Sequence, residues 1–258
     1  MNTFDILHPG PWFGEKPESL DAIKSLSSDN EEARFFEICR RLKCGDFTAR
    51  SELERFILSC TNEVVKRLSI RLYCYIARHQ DISFLGNLLA SCTHEEVFSI
   101  VIYAPHTLSL QIVPYLFALL EEYESTSIEE NILSSINKIC PFEYYGGRVN
   151  IAELGERFAG FAKKMNLENY YYDGAEAFAG NLTKILIETA ALARQGKMSF
   201  PLTDVPTLLS IWSGEKCPLF YGEQVADSDF ESVIKFSKHI ASMRWIRGKK
   251  YFYGYLIE

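Results

Sequence analysis

From His79 through Asn137 the chain carries no lysine or arginine. Its net charge is −7 over 258 residues, so the chain as a whole is not expected to favour nucleic acid or anionic lipid. No basic N-terminal segment leads into an apolar run, and a signal peptide is therefore not expected. No stretch approaches the roughly 18 consecutive apolar residues that a membrane span needs. The seven cysteines (Cys39, Cys44, Cys60, Cys74, Cys92, Cys140 and Cys217) are scattered and include no CxxC pair. That usage fits reduced, mostly buried thiols in a cytoplasmic protein.

Catalytic signatures are missing too. Gly155 and Gly160 have the spacing of a phosphate loop, but Phe161-Ala162 stand where Lys-Ser/Thr is required. There is no nucleophile elbow and no HExxH. The five histidines are His8, His79, His94, His106 and His239, and none lies three or four residues from another histidine or a cysteine. No catalytic residue, metal site, cofactor or small-molecule substrate is expected.

What the chain does contain is a repeat. Ser51, Leu53, Ser59, Cys60, Thr61 and Glu63 match Ser83, Leu85, Ser91, Cys92, Thr93 and Glu95. After a two-residue gap, Ser69, Ile70 and Tyr73 match Ser99, Ile100 and Tyr103. A period of roughly 30 residues holding two short helices is the mark of a helical solenoid. Helical spacing of apolar residues runs from Phe35 to Ile136, with Val64, Val65, Leu68 and Leu72 assigned to one inward stripe. Thr93 and Glu96 form a capping-box pattern. A weaker third unit follows in Ile112–Leu120 and Ile128–Ile136.

The expected fold is all-α: a HEAT-like helical-repeat solenoid at 30–142, after an N-terminal arm at 1–29 pinned by Trp12 and Phe13. A short helix is expected after Pro17. A C-terminal helical region at 143–258 follows, with Tyr144-Tyr145-Gly146-Gly147 as a hinge. Its helices are expected at 151–165, 175–194, 205–212 and 230–245, ahead of an aromatic tail that is extended or a hairpin.

The cation-free stretch holds Asp81, Glu95, Glu96, Glu121, Glu122, Glu124, Glu129 and Glu130. Glu95-Glu96 and Glu129-Glu130 fall at corresponding helix starts, and Glu121, Glu122 and Glu124 at a helix end, where the macrodipole disfavours acids. With no cation in the run to relieve them, these carboxylates suggest a face for a basic partner. The plainer alternative is good N-terminal capping and a solvated rim. The tail has the opposite sign: Lys235, Lys238, Arg244, Arg247, Lys249 and Lys250 occur with no acid from Ser232 to Ile257. Those cations are expected at a helix C-terminus, where they are favoured, with the tail aromatics in the core.

The helical body together with Trp245-Ile246-Arg247-Gly248-Lys249-Lys250-Tyr251-Phe252-Tyr253-Gly254 resembles the immunity protein 47 family, bacterial immunity proteins of polymorphic-toxin systems. The resemblance implies a cytoplasmic protein that binds and neutralises a cognate toxin. It carries over no functional residues. Two other readings stay open: a generic helical-repeat adaptor, and an enzyme with a site around Glu176, His239 and the Gly214–Gly222 loop.

Overall fold

The computed structural model describes residues 13–17, 30–141 and 150–258. The expected Trp12 contact, the helix after Pro17 and the Tyr144–Gly147 hinge lie outside them. The fold is all-α. Among the described residues there are eleven α-helices, and the strands form two two-stranded hairpins. Compact packing divides the chain into Met1–Ala49 with Phe178–Ile257, and Arg50–Ala177 with Glu258.

Helix α1 (Glu31–Lys43) belongs to the first of these units. Asn30 caps it, accepting from the N–H groups of Glu32 and Ala33 at 2.9 and 3.4 Å. Acids fill its first turn and Arg40, Arg41 and Lys43 its last, in the sense the macrodipole favours.

The second unit holds α2 (Arg50–Ser59), α3 (Glu63–Ile76), α4 (Ile82–Leu89), α5 (His94–Tyr103), α6 (Val113–Glu122), α7 (Glu129–Ile139) and α8 (Ile151–Ala162). Helix α2 packs on α3, α3 on α5, α5 on α7 and α6 on α7. Segments 51–73 and 83–103 are both helix–turn–helix, and some of their equivalent side chains share environments, although Cys60 is buried and Cys92 only half-buried. Leu53 and Leu85 are both 0% exposed, as are Ile70 and Ile100. Ser69 and Ser99 each return a hydroxyl hydrogen bond to the carbonyl four residues back, at 2.8 and 2.9 Å. Val64 departs from the expected stripe. Val65, Leu68, Leu72 and Ile76 face inward, which turns Val64, one position off, outward at 43% exposure.

This unit ends in a hairpin, β1 (Tyr171–Tyr172) with β2 (Ala175–Glu176), where a helix is expected to have begun at Ala175. Asp173 and Gly174 both have positive φ, 51° and 69°, which is the type I′ turn that matches strand twist. Helix α9 (Ala179–Gly196) therefore starts later.

The first unit continues with α9, α10 (Asp204–Ser213) and α11 (Asp227–Ser242), α9 packing on both others. It closes with the hairpin β3 (Tyr251–Phe252) and β4 (Tyr255–Leu256), turned at Tyr253 and Gly254 with φ of 51° and 84°.

The two hairpins are the same device. In each, the two turn residues donate their N–H groups to the last carbonyls of a helix, which would otherwise lack partners. Asp173 and Gly174 reach Lys138 and Ile139 of α7 at 2.7 and 3.3 Å. Tyr253 and Gly254 reach Ile211 and Trp212 of α10, both at 2.7 Å. Ala177 N–H to Tyr170 C=O (2.8 Å) has its counterpart in Ile257 to Lys250 (2.9 Å). The Tyr171 and Tyr251 hydroxyls accept from the N–H of the residue five positions upstream, Asn166 and Ile246, at 3.0 and 2.8 Å.

Phe252 and Tyr253 are fully buried. Trp245 is half-buried, its indole N–H donating to the Ile240 carbonyl at 2.7 Å and its ring edge-on to Tyr251 at 4.7 Å. Phe13 packs near Phe252, with ring centroids 6.3 Å apart, and the Tyr253 hydroxyl donates to Gly14 C=O at 2.6 Å. Lys43, 6% exposed, donates to Glu15 C=O at 3.1 Å.

Candidate functional site

The starts of α3 and α5 lie side by side. Lys66 meets Glu96 at 2.6 Å, and Arg67 meets Glu95 at 3.4 Å. The start of α5 in turn adjoins the end of α6, through the rings of His94 and Tyr123 at 5.9 Å. The turn from α6 into α7 is tied by Glu129, which accepts from the Ser125 N–H at 2.6 Å. One end of the second unit therefore carries Glu63, Glu95, Glu121, Glu122, Glu124, Glu129 and Glu130. All but half-buried Glu129 are exposed, and Glu95 keeps 67% of its side chain in solvent.

Two of the expected acids have other work. Glu96 is buried; it caps α5 by accepting from the Thr93 N–H at 2.9 Å and pairs with Lys66. Burial works to raise its carboxyl, but the Lys66 ammonium and the Thr93 N–H hold it below the ordinary range. The same carboxylate and burial push the Cys92 thiol up to about 12, burial being the larger cause.

Asp81 does not share this end. It follows the C-terminus of α3, whereas the carboxylate strip runs along the N-terminus of that helix. Its carboxylate sits between Arg50 at 3.2 Å and Arg78, whose guanidinium reaches both oxygens at 2.9 Å. Burial works to raise the Asp81 carboxyl, and the Arg78 hydrogen bonds with the charges of Arg50 and Arg78 bring it below the ordinary range. The lack of cations in the sequence run is thus made good by Arg50, Lys66, Arg67 and Arg78, from outside it.

Around the same corner the Tyr73 hydroxyl lies 2.7 Å from a Glu54 carboxylate oxygen, and His79 stacks on Tyr170 at 4.1 Å. Burial and the carboxylate of Glu54 push the Tyr73 phenol well up, and burial takes Tyr170 to about 12. These groups brace a buried corner.

The residues of the enzyme reading are spoken for locally. Glu176 accepts from the Asn169 amide at 2.6 Å, and His239 meets Glu215 at 2.8 Å on the surface. Among the described residues there is no group of three or more His, Cys, Asp or Glu that could hold a metal ion. All seven cysteines are free thiols. No helix among the described residues is long and apolar enough to cross a membrane. Of the tail cations, Lys235, Lys238, Arg244 and Arg247 are exposed, Arg247 lying over Phe178 at 4.6 Å, whereas Lys250 is fully buried.

Leu58, Glu63 and Val64, which are not among the contact residues expected from the sequence, stand at the same end as the carboxylates. Leu58 is off the buried stripe of Leu53, Phe56 and Ile57, a signal that was present in the helical period.

One protein-family model, described as immunity protein 47, matches residues 10–257 of this chain. Comparison with curated proteins and with solved structures returns no match.

Proposed function

The chain belongs to the immunity protein 47 family, and we propose that it binds a cognate bacterial toxin in the cytoplasm and neutralises it stoichiometrically. The family match over residues 10–257 carries this reading. The strip of exposed carboxylates supports its finer part, a toxin with a basic surface. A toxin that acts on nucleic acid would present a basic cleft, and acids grouped at one end of a helical unit would steer it by charge. The proposed contact residues are Glu95, Glu121, Glu122, Glu124, Glu129 and Glu130. Glu96 and Asp81 drop out, being largely buried in their ion pairs, whereas Glu95 stays largely in solvent beside Arg67. The inhibitor needs no catalytic group, cofactor or metal of its own.

Two measurements test the reading. Co-expression with the toxin encoded by the neighbouring gene should restore growth, and absence of rescue counts against immunity. Reversing Glu95, Glu121, Glu122 and Glu130 to Lys should slow association at low salt by roughly tenfold or more, with the fold intact. Equal rates and equal salt slopes for both proteins would leave these acids as a solvated rim.

A further inference from the structure

Rim charges set how fast partners meet, while affinity is concentrated in a few side chains that become fully desolvated near the centre of the interface. Two large apolar side chains, Leu58 at 62% and Val64 at 43% exposure, stand at the carboxylate end of the second unit. They flank the short turn between α2 and α3, beside Glu63. Neither is there to fill the core: Leu53, Phe56 and Ile57 take that role in α2, and Val65 and Leu68 in α3. The Arg67–Glu95 pair ties this turn to the start of α5 and so to the acidic strip. The two cations here, Lys66 and Arg67, are matched by Glu96 and Glu95, and Arg55 on α2 is the exposed cation nearby. Beside the apolar pair the remaining exposed charges are Glu63 and Arg55, and the acidic excess lies further along the same end, in Glu121, Glu122, Glu124 and Glu130.

Resting on the immunity reading above, we infer that Leu58 and Val64 are the apolar anchor of the toxin interface, seated against an apolar depression within a basic protein surface. The acids around them select the basic partner and set the encounter rate, and the anchor sets how long it stays.

The experiment uses the full chain and the purified toxin domain encoded by the neighbouring gene, with association and dissociation measured separately. Leu58→Ala and Val64→Ala should each raise the dissociation rate by about tenfold, with association rate, salt slope and melting temperature unchanged. Leu192→Ala removes a side chain equally exposed at 63%, in the other unit, and should change nothing. Dissociation within about twofold of wild type for both Leu58→Ala and Val64→Ala overturns the anchor, whether or not charge reversal slows association. A toxin that the wild-type protein does not bind overturns the immunity reading itself, and the anchor with it. Loss of the anchor effect beside a retained charge effect therefore separates the two failures.

Discussion

Asp81 keeps a tenth of its side chain exposed, and its ion partner Arg50 keeps 7%. Removing Asp81 takes a counter-ion from the buried Arg50 guanidinium and from Arg78. Asp81→Ala is therefore expected to cost about 3–5 kcal/mol of stability, read from urea denaturation, while toxin association stays at the wild-type rate. A neutral effect on stability with slowed association would return Asp81 to the binding surface. The acidity of this region was legible in the sequence, but its distribution between surface and interior was not. A run without lysine or arginine says nothing of the cations that helices from outside the run bring up. Lys66 and Arg67 come from α3 to meet acids on α5, and only packing brings them together. Val64 was assigned inward for a related reason, since a first-turn position has few neighbours to decide which side of the stripe it joins.

Helices α2 to α7 were readable from their apolar stripes, and α3 and α5 from caps as well, Asn62 for α3 and Thr93 with Glu96 for α5. The hairpin at Tyr171–Glu176 was missed although Asp173-Gly174 is a strong turn signal, because the Ala-rich run after it extends helical spacing backwards. The kinship of the two hairpins lies in backbone bonds to α7 and α10, which side-chain patterns do not report. The shared design makes a paired prediction. Gly174 and Gly254 both sit at positive φ, so alanine in either strains the backbone by about 1–2 kcal/mol. A Cβ at Gly174 would also stand 2.8 Å from Pro141, whereas at Gly254 it meets nothing within 4 Å. Thermal or urea unfolding should rank Gly174→Ala as clearly the more damaging. Equal losses would show that Pro141 gives way freely.

At the scale of the whole chain, one compact unit joins residues 1–49 to 178–257. Contacts such as Tyr253 with Gly14 span the length of the chain and leave no trace in local pattern. The sum of buried titratable groups is likewise a property of the whole fold. Burial pushes the Cys39 thiol up to about 11 and those of Cys140 and Cys217 to about 12. Cys92, raised by burial and Glu96, also reaches about 12. In the unfolded chain these thiols ionise near pH 8.5. Above that value the unfolded state binds fewer protons than the native one, so stability falls as pH rises. The thiols' share of the fall ends as they ionise in the native state near pH 11–12. Tyr73 and Tyr170, also raised by burial, add to the fall above about pH 10. Lys43 acts in the opposite sense. Burial holds its ammonium below the ordinary value, so between its folded and unfolded values the unfolded chain carries the extra proton and Lys43 alone would stabilise as pH rises. One lysine against four thiols leaves the net slope negative. Urea midpoints measured under reducing conditions should therefore hold level to about pH 8 and then decline. Cys217→Ala, at a fully buried site, should flatten part of that decline whatever it costs in absolute stability. A wild-type profile that stays level to pH 10 would mean that these thiols ionise in the folded protein about as easily as in the unfolded one.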